Sequence, residues 1–425
     1  MKKTIIASLA AMLICGYAFG QNRPYDKNGI NVFETPKVEG PKYEGVKLKI
    51  GGSFTESWQA LKHSNTSPSA KLIGIKPGFN TANANLYFDT QLEDGVSLNL
   101  TMYLSSRHHN ETWVKGGYIQ FDKFPFLHCA LLDQVMKFTT LKVGHMEVNY
   151  GDAHFRRSDN GNSIYNPFIE NYIMDEFSTE IGAEADLQHN GLLGVIAVTN
   201  GEIKGDISDY VSTTKIDSSR NIARRPAFIG KIGFDKQLSS NVRLRVTGSG
   251  YYTAGSVSNT LYGGDRGGSH YFGVLEKDFA TTSAFSGRFN PGFTDKVASL
   301  MGNVFLKVGG LEWFTTLETS KGRSTKEAAE RTASQFATDL LYRFGSSENF
   351  WVGTRYNTVK SELLNGTSIY DVNLSRIAVS GGWFLTKNIM TKLEYVDQKY
   401  KNFIASDIRN GGKFSGVVVE AVVSF

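Results

Sequence analysis

The chain ends with the sequence Gly416-Val-Val-Val-Glu-Ala-Val-Val-Ser-Phe425, in which every second residue is apolar. Successive side chains of a strand point to opposite sides, so one face of this segment carries apolar residues alone. That face consists of Val417, Val419, Ala421, Val423 and Phe425. The pattern is typical of a strand with lipid on one side and water on the other. A half-buried final strand of a soluble β-sandwich would alternate in the same way, so the rest of the chain has to distinguish the two.

Residues 1–20 have the layout of a secretory signal peptide. Two lysines precede an apolar run from Ile5 to Phe19, and the small residue Gly20 stands before Gln21. We therefore expect the signal to comprise residues 1–20 and the mature chain to be exported. Cys129 would then be the only cysteine left, so no disulfide could form within the mature chain.

Composition after the signal favours a β-barrel. No run of ~18 consecutive apolar residues is present, so no transmembrane helix is expected. Mean hydropathy is −0.25, yet 12% of residues are aromatic, and 44 glycines stand against 9 prolines. A polar lumen flanked by aromatic girdles has this composition. The net charge of +5 falls to +3 once Lys2 and Lys3 leave with the signal, which contains no acid; this is too small to indicate a nucleic-acid partner.

Period-two alternation recurs from Val46 to the C-terminus, whereas helical periodicity is nearly absent. It predicts an all-β, transmembrane antiparallel barrel over residues 46–425, with about sixteen strands of ~10 to 14 residues. Fourteen or eighteen strands also remain open. The number of strands is open because three segments alternate poorly, namely 111–123, 138–148 and 268–280.

The predicted connections are of two kinds, as in outer-membrane barrels with short periplasmic turns and long extracellular loops. Short turn signals stand at 93–95, 189–191, 238–241, 309–310, 346–349 and 386–388. Long polar stretches stand near 60–78, 149–175, 202–225, 255–297, 322–331, 362–372 and 402–411.

Two segments interrupt the strand pattern. Residues 124–137 place apolar side chains at helical spacing, which predicts a short amphipathic helix that covers the periplasmic rim. Residues 21–45 are polar and hold three of the nine prolines, so we expect an extended leader in the periplasm or against the lumen wall. We expect no folded plug.

Three segments resemble known outer-membrane proteins. The strand that ends at Phe425 resembles the C-terminal sorting strand that the barrel assembly machinery reads. The block GGWFLTKNIMTKLEYVDQKY, residues 381–400, resembles the closing hairpin of porins in the phosphate-selective porin O and P group. The block LKVGHMEVNYG, residues 141–151, is similar to the strand that leads into that group's pore-constricting third loop. The resemblance implies a sixteen-stranded, trimeric porin.

In that group an arginine and lysine ladder selects phosphate, whereas the charges of this chain are mixed. The expected constriction loop, residues 150–175, contains both arginines and acids. Arginines opposed by an acidic wall would set a transverse field, although they could instead pair within the loop or face solvent. We expect a weak ion preference, tilted toward anions. The candidate constriction residues are Arg156, Arg157, Lys142, Arg243, Arg245, Asp152 and Asp159.

The sequence thus predicts a porin for small hydrophilic solutes in the outer membrane of a Gram-negative bacterium. Its expected partners are membrane lipid, the assembly machinery through Phe425, and two further copies in a homotrimer. The residues near His154 and Ser158 do not define a catalytic geometry, so no enzymatic activity, metal or cofactor is expected. A structural or adhesion platform is the alternative. A TonB-linked receptor is a second one, although a 22-stranded barrel with a plug needs a longer chain.

Overall fold

The computed structural model describes residues 22–38, 43–105, 111–207, 223–264, 267–277 and 287–425, so the expected signal peptide lies outside the described residues. Within these ranges seventeen antiparallel strands form one sheet. A single helix, α1, spans Ala130–Met136, and 3-10 turns span Lys27–Gly29 and Ala153–Arg156. The strands are β1 Lys47–Ser64, β2 Gly78–Phe79, β3 Asn83–Glu93, β4 Val96–Ser105, β5 Glu111–Phe121, β6 Thr139–Glu147, β7 Thr179–His189, β8 Leu192–Thr199, β9 Ala227–Ser239, β10 Val242–Thr253, β11 Lys296–Val308, β12 Leu311–Arg323, β13 Arg331–Phe344, β14 Phe350–Asn365, β15 Ser368–Phe384, β16 Ile389–Lys401 and β17 Lys413–Ser424.

The sheet closes on itself between its first and last strands. The lower part of β1 pairs with β3, and its upper part pairs with β17, with Ser53 opposite Ser424 and Leu61 opposite Gly416. Every other long strand pairs with its neighbours in chain order, and β2 is a two-residue addition to β1. The expected all-β barrel of about sixteen strands is confirmed.

Tight turns lie at one end of the barrel, the turn end. Two-residue connections join β3 to β4, β7 to β8, β9 to β10 and β11 to β12. In one of them Asn190 and Gly191 have φ values of 51° and 87°, the left-handed pair that a type I′ hairpin requires. The opposite end, the loop end, carries the third loop, residues 148–178, and the fifth loop, residues 254–295.

One sequence expectation about the connections was wrong. Residues 362–372 are not a long loop, because β14 continues to Asn365 and β15 begins at Ser368, which leaves a two-residue turn between them. Local polarity did not show this, since a polar segment pairs in a sheet when both of its faces meet water. The poorly alternating residues 268–277 belong to the fifth loop, in agreement with the long loop expected near 255–297.

The two faces of the barrel differ as lipid and water require. Apolar side chains point outward along the strands, and Ile232 is the most exposed aliphatic of β9 at 74%. At the turn end, Tyr342, Phe344, Phe350 and Trp383 form a stacked outward row with neighbouring ring centroids 5.6–6.2 Å apart. Aromatic rings at this level form the girdle expected at a membrane interface.

Helix α1 lies in the connection between β5 and β6 at the turn end. Its residue Met136 is buried, but Leu131 is 74% exposed and Val135 is also exposed. The helix packs mainly against β6. The expected helix is therefore present, whereas its apolar face does not cover the rim. Among the described residues no helix is both long and apolar enough to cross a bilayer.

Candidate functional site

The third loop folds into the lumen and is bonded to the far wall. Its backbone N–H groups at Ile169 and Ile173 donate to Glu394 and Asn357, at 2.8 and 2.6 Å. In return, the ammonium group of Lys392 donates to three backbone carbonyl groups of the loop, at 2.8–3.2 Å. Buried backbone groups need such partners. Polar wall residues of β14 and β16 thus hold an irregular segment inside the barrel.

The same loop also contacts β1 and β3, two and three strands along the wall from β16, at Asn160 and Gly161. Thr55 of β1 donates to the Gly161 carbonyl oxygen at 2.7 Å, and Asn160 donates to the Ala84 carbonyl oxygen of β3 at 2.7 Å. A β-carbon at Gly161 would lie 2.5 Å from the Ala84 α-carbon, so no larger residue fits here without moving the backbone. With these contacts and those to β14 and β16, the third loop crosses the lumen.

The described part of the fifth loop lies in the lumen and contacts β16 and β17. His270 Nδ1 lies 2.6 Å from Glu420 of β17, and its backbone N–H donates to Glu170 of the third loop at 2.7 Å. Tyr271 donates to Glu394. A cavity lies across the third loop from these contacts, next to strands β3–β7.

The leader also lies inside the barrel, which is the second of its two expected positions. Tyr25 stacks on Tyr87 of β3 with ring centroids 3.8 Å apart. Further along, Glu34 pairs with Lys231 of β9 at 3.0 Å and with Arg245 of β10 at 2.7 Å. The lumen thus holds an extended segment of the chain itself, which composition alone did not indicate.

The leader, the third loop and strands β3–β7 enclose a cavity of about 230 Å³, which we call the passage. Its neutral lining is rich in tyrosine, asparagine and threonine. Four cationic side chains line it, Arg23, Lys115, Lys142 and Arg157, and so do five carboxylates, Glu34, Glu147, Asp159, Glu184 and Asp186.

Three of the seven residues proposed from the sequence line the passage, namely Arg157, Lys142 and Asp159. Arg157 makes a two-pronged bond to Asp175, at 2.8 and 2.6 Å. Burial alone would raise the pKa of Asp175, but Arg157 holds it below its ordinary value. Lys142 lies between two carboxylates of β7, Glu184 and Asp186, at 2.8 Å from each.

The other four lie against the wall outside the passage. Arg156 is buried 3.6 Å from Glu312, over the rings of Phe305 and Phe314. Arg245 makes a two-pronged bond to Asp152, at 2.8 and 2.7 Å. Arg243 bonds Asp235 in the same way, at 2.8 and 2.7 Å.

Asp152 is the anchor of the third loop at this wall. Its backbone N–H donates to Asn303 at 3.0 Å, and its carboxylate also contacts Lys231 at 3.2 Å. Burial alone would raise the pKa of Asp152, but Arg245 and Lys231 hold it well below its ordinary value. These residues hold the third loop against the wall. Nothing in the sequence distinguished residues that hold the loop from residues that line the passage.

Lys115 was missed by the sequence reasoning although it projects into the passage. It pairs with Asp159 and lies 3.7 Å from Glu147. The pairing of β4 with β5 shifts here, so that Thr101 faces Gly116 while Met102 faces Val114. A β-bulge inserts one residue into a strand and reverses the alternation of inward and outward side chains beyond it. The period-two pattern therefore did not assign Lys115 to the inner face. The poor alternation of 111–123 was the available signal.

No group of three or more histidine, cysteine or acidic side chains in the described part of the chain could hold a metal ion. The charged groups of the lumen bond to one another and to backbone atoms instead. The arrangement is therefore that of a narrow polar cavity lined by fixed charges of both signs.

The fold is that of outer-membrane β-barrel channels, although no protein-family model and no curated protein sequence matches the chain. The anion-selective porin from Comamonas acidovorans is similar with a TM-score of 0.51 at 9% identity, covering 89% of this chain and 100% of that one. The outer membrane channel DcaP of Acinetobacter baumannii gives 0.50 at 11% identity, with 91% and 100% coverage. The trimer form of OmpT, an outer membrane protein of Vibrio cholerae, gives 0.50 at 9% identity, with 90% and 100% coverage.

Proposed function

We propose that this protein is a porin that lets small hydrophilic solutes diffuse across the outer membrane of a Gram-negative bacterium. The observation that carries the proposal is the third loop, which crosses a polar lumen and leaves a passage of about 230 Å³. An inward loop that narrows a barrel with an apolar outer face is suited to sieving solutes. The fold shared with outer-membrane channels supports this proposal.

We further propose that the passage has little preference between anions and cations. Arg156, Arg157, Arg243 and Arg245, on which an anion preference was expected, each pair with a carboxylate. The lining itself has four cationic against five anionic side chains. Phosphate selectivity of the kind known in the porin O and P group is therefore not part of the proposal.

The proposal includes export and assembly. Cleavage after residue 20 would separate the signal peptide from the leader. The described part of the leader lies folded inside the barrel. The strand ending at Phe425 would direct assembly. Three copies would form a trimer, and the trimer form of the similarly folded OmpT supports this part of the proposal.

Single-channel recording in planar bilayers tests the proposal. Purified, folded protein should produce discrete conductance steps in potassium chloride, and the same protein heated until it unfolds should produce none. Bilayers that stay closed at every salt concentration and voltage would contradict the porin and favour a surface platform. Conductance that appears only after denaturant extracts an internal segment would favour a gated receptor.

A further inference from the structure

The leader contacts the inner wall of the barrel in an order that runs once around it. Tyr25 begins at β3, where its ring stacks on Tyr87 at an interplanar angle of 5°. The backbone N–H of Lys27 then donates at 2.8 Å to the carbonyl oxygen of Lys387, in the turn between β15 and β16. Asn31 donates to Glu312 of β12 at 2.6 Å.

The second half of the leader completes the circuit. Glu34 pairs with β9 and β10 through Lys231 and Arg245. The ammonium group of Lys37 lies 2.8 Å from Asp122, which directly follows β5. Tyr43 then donates to the Leu92 carbonyl oxygen at 2.9 Å, so the chain returns to β3, where it began.

The described part of this segment, residues 22–38, contacts strands on several sides of the barrel, namely β3, β12, β9 and β10, and also the residues beside β5 and β15. We call residues 22–38 the belt.

The inner side of the belt forms part of the passage lining, and its one cation there is Arg23. The other three cations of the lining each pair with a carboxylate. Among the described residues, no carboxylate lies within ion-pair distance of Arg23, whose Nη2 atom is buried without a hydrogen-bond partner. The guanidinium is positioned by the Tyr165 ring, 3.5 Å away, and by a 2.8 Å bond from its Nε atom to the Gly29 carbonyl oxygen.

We propose that the belt is a wall of the solute path and that Arg23 is a specificity-determining residue, whose charge attracts the carboxylate or other anionic group of a passing solute. This inference rests on the proposed porin function. The Arg23 charge is fixed in place beside the passage and has no carboxylate partner among the described residues, so it attracts an anionic solute more strongly than the paired cations do. The belt therefore limits the width of the path, and through Arg23 it provides a local attraction for anions.

The first experiment compares Arg23→Gln with Lys27→Gln in full-length, exported protein. Lys27 is a cation of the same belt that lies at the turn end, bonded to Asn349, and outside the passage lining. Reversal potentials across a potassium chloride gradient should show a several-fold lower anion-to-cation permeability ratio for Arg23→Gln at ~0.1 M salt, where the screening length of ~10 Å limits the effect of charges outside the passage lining. Lys27→Gln should match the wild type. Equal ratios for Arg23→Gln and wild type would overturn the role of Arg23.

A second experiment keeps the inference testable if Arg23→Gln does not fold. In a Cys129→Ser background, Thr35→Cys places a thiol on the passage side of the belt, and Asn28→Cys places one on its exposed side. A bulky charged thiol reagent should lower the conductance of Thr35→Cys and leave that of Asn28→Cys unchanged. Thr35→Cys that resists the reagent, or that reacts by mass with no change in conductance, would overturn the belt as a wall of the path. Wild-type protein that never conducts would instead refute the porin proposal itself.

Discussion

Charged residues inside this barrel stand almost entirely in pairs. Arg355 of β14 bonds Asp339 of β13 at 2.7 and 2.8 Å, and Lys392 of β16 lies 2.8 Å from Glu420 of β17. A charge taken out of water is costly unless it is paired and hydrogen-bonded. Because two loops and the belt pack against the wall, most wall charges are withdrawn from water and serve to hold those segments. Their number in the sequence therefore overstates their effect on solutes.

Lys142 offers the most direct test of how pairing limits the effect of a charge. Lys142→Met would leave Glu184 and Asp186 facing the passage without their cation. We expect cation permeability to rise several-fold at low salt and to change little at ~1 M salt, where the screening length is ~3 Å. Reversal potentials measure this change. Arg243→Met is the matched control, because Arg243 also pairs with a carboxylate, Asp235, but lies outside the passage lining; a shift of equal size in both variants would contradict the assignment.

At the scale of elements, one cluster joins the belt and the third loop to the wall. Glu34 of the belt and Asp152 of the loop share Lys231 of β9 and Arg245 of β10. His154 of the third loop also interacts electrostatically with Glu34. Two strand cations thus hold both the belt and the third loop. Because the cluster contains titratable carboxylates, we expect the positions of these two segments to depend on pH.

Burial alone would raise the pKa of Glu34, but Lys231 and Arg245 hold it below its ordinary value of 4.5. A carboxylate with a lowered pKa stabilises the folded state above its ordinary pKa, and that stabilisation is lost as the pH falls through the lowered pKa. We therefore expect the belt to loosen progressively as the pH falls below 4.5 and through the lowered pKa of Glu34, and single-channel conductance to rise over that range.

Recording between pH 7 and pH 3 checks this expectation. Glu34→Gln should already show the higher conductance at neutral pH and lose most of the acid-dependent step. Glu44→Gln is the control, since Glu44 is an exposed leader acid that pairs only with Lys47. A Glu34→Gln channel with the conductance and acid response of the wild type would show that this pair does not hold the belt.

At the scale of the whole molecule, the C-terminus closes the barrel. The backbone N–H and carbonyl groups of Phe425 bond to those of Gly52 in β1, at 2.9 and 3.0 Å, while its ring is 59% exposed on the outer face. The ring therefore contributes little packing to the finished barrel. This geometry separates the role of the residue in closure from its proposed role in assembly.

Phe425→Ser keeps the closing backbone bonds and removes the ring. We expect less protein in the outer membrane as a heat-modifiable barrel, with normal stability of the fraction that assembles. Val423→Ser is the control, because it also removes an apolar side chain from the outer face of β17 but is not terminal. Equal yields of Phe425→Ser and wild type would contradict the sorting role, and equal losses in both variants would indicate a general effect of outer-face polarity.

The candidate site shows where sequence reasoning reached and where it stopped. Arg157, Lys142 and Asp159 line the cavity, and the sequence could single them out because loop position and strand phase are local properties of the chain; their role in constriction stays a prediction. Lys115 was missed at a β-bulge, which changes the phase without a local signature. Arg23 was missed because an extended polar leader has the same composition whether it lies in the periplasm or inside the barrel.

The sequence by itself determined the barrel, since alternation with a period of two, short turns and long loops are written residue by residue along the chain. Only the tertiary structure decided how the lumen is filled. Glu34 meets Lys231, and Tyr25 meets Tyr87, across separations that no periodicity records. A charged side chain attracts solutes less strongly when an oppositely charged side chain pairs with it. Closure of the barrel brings together such partners, which are distant in sequence.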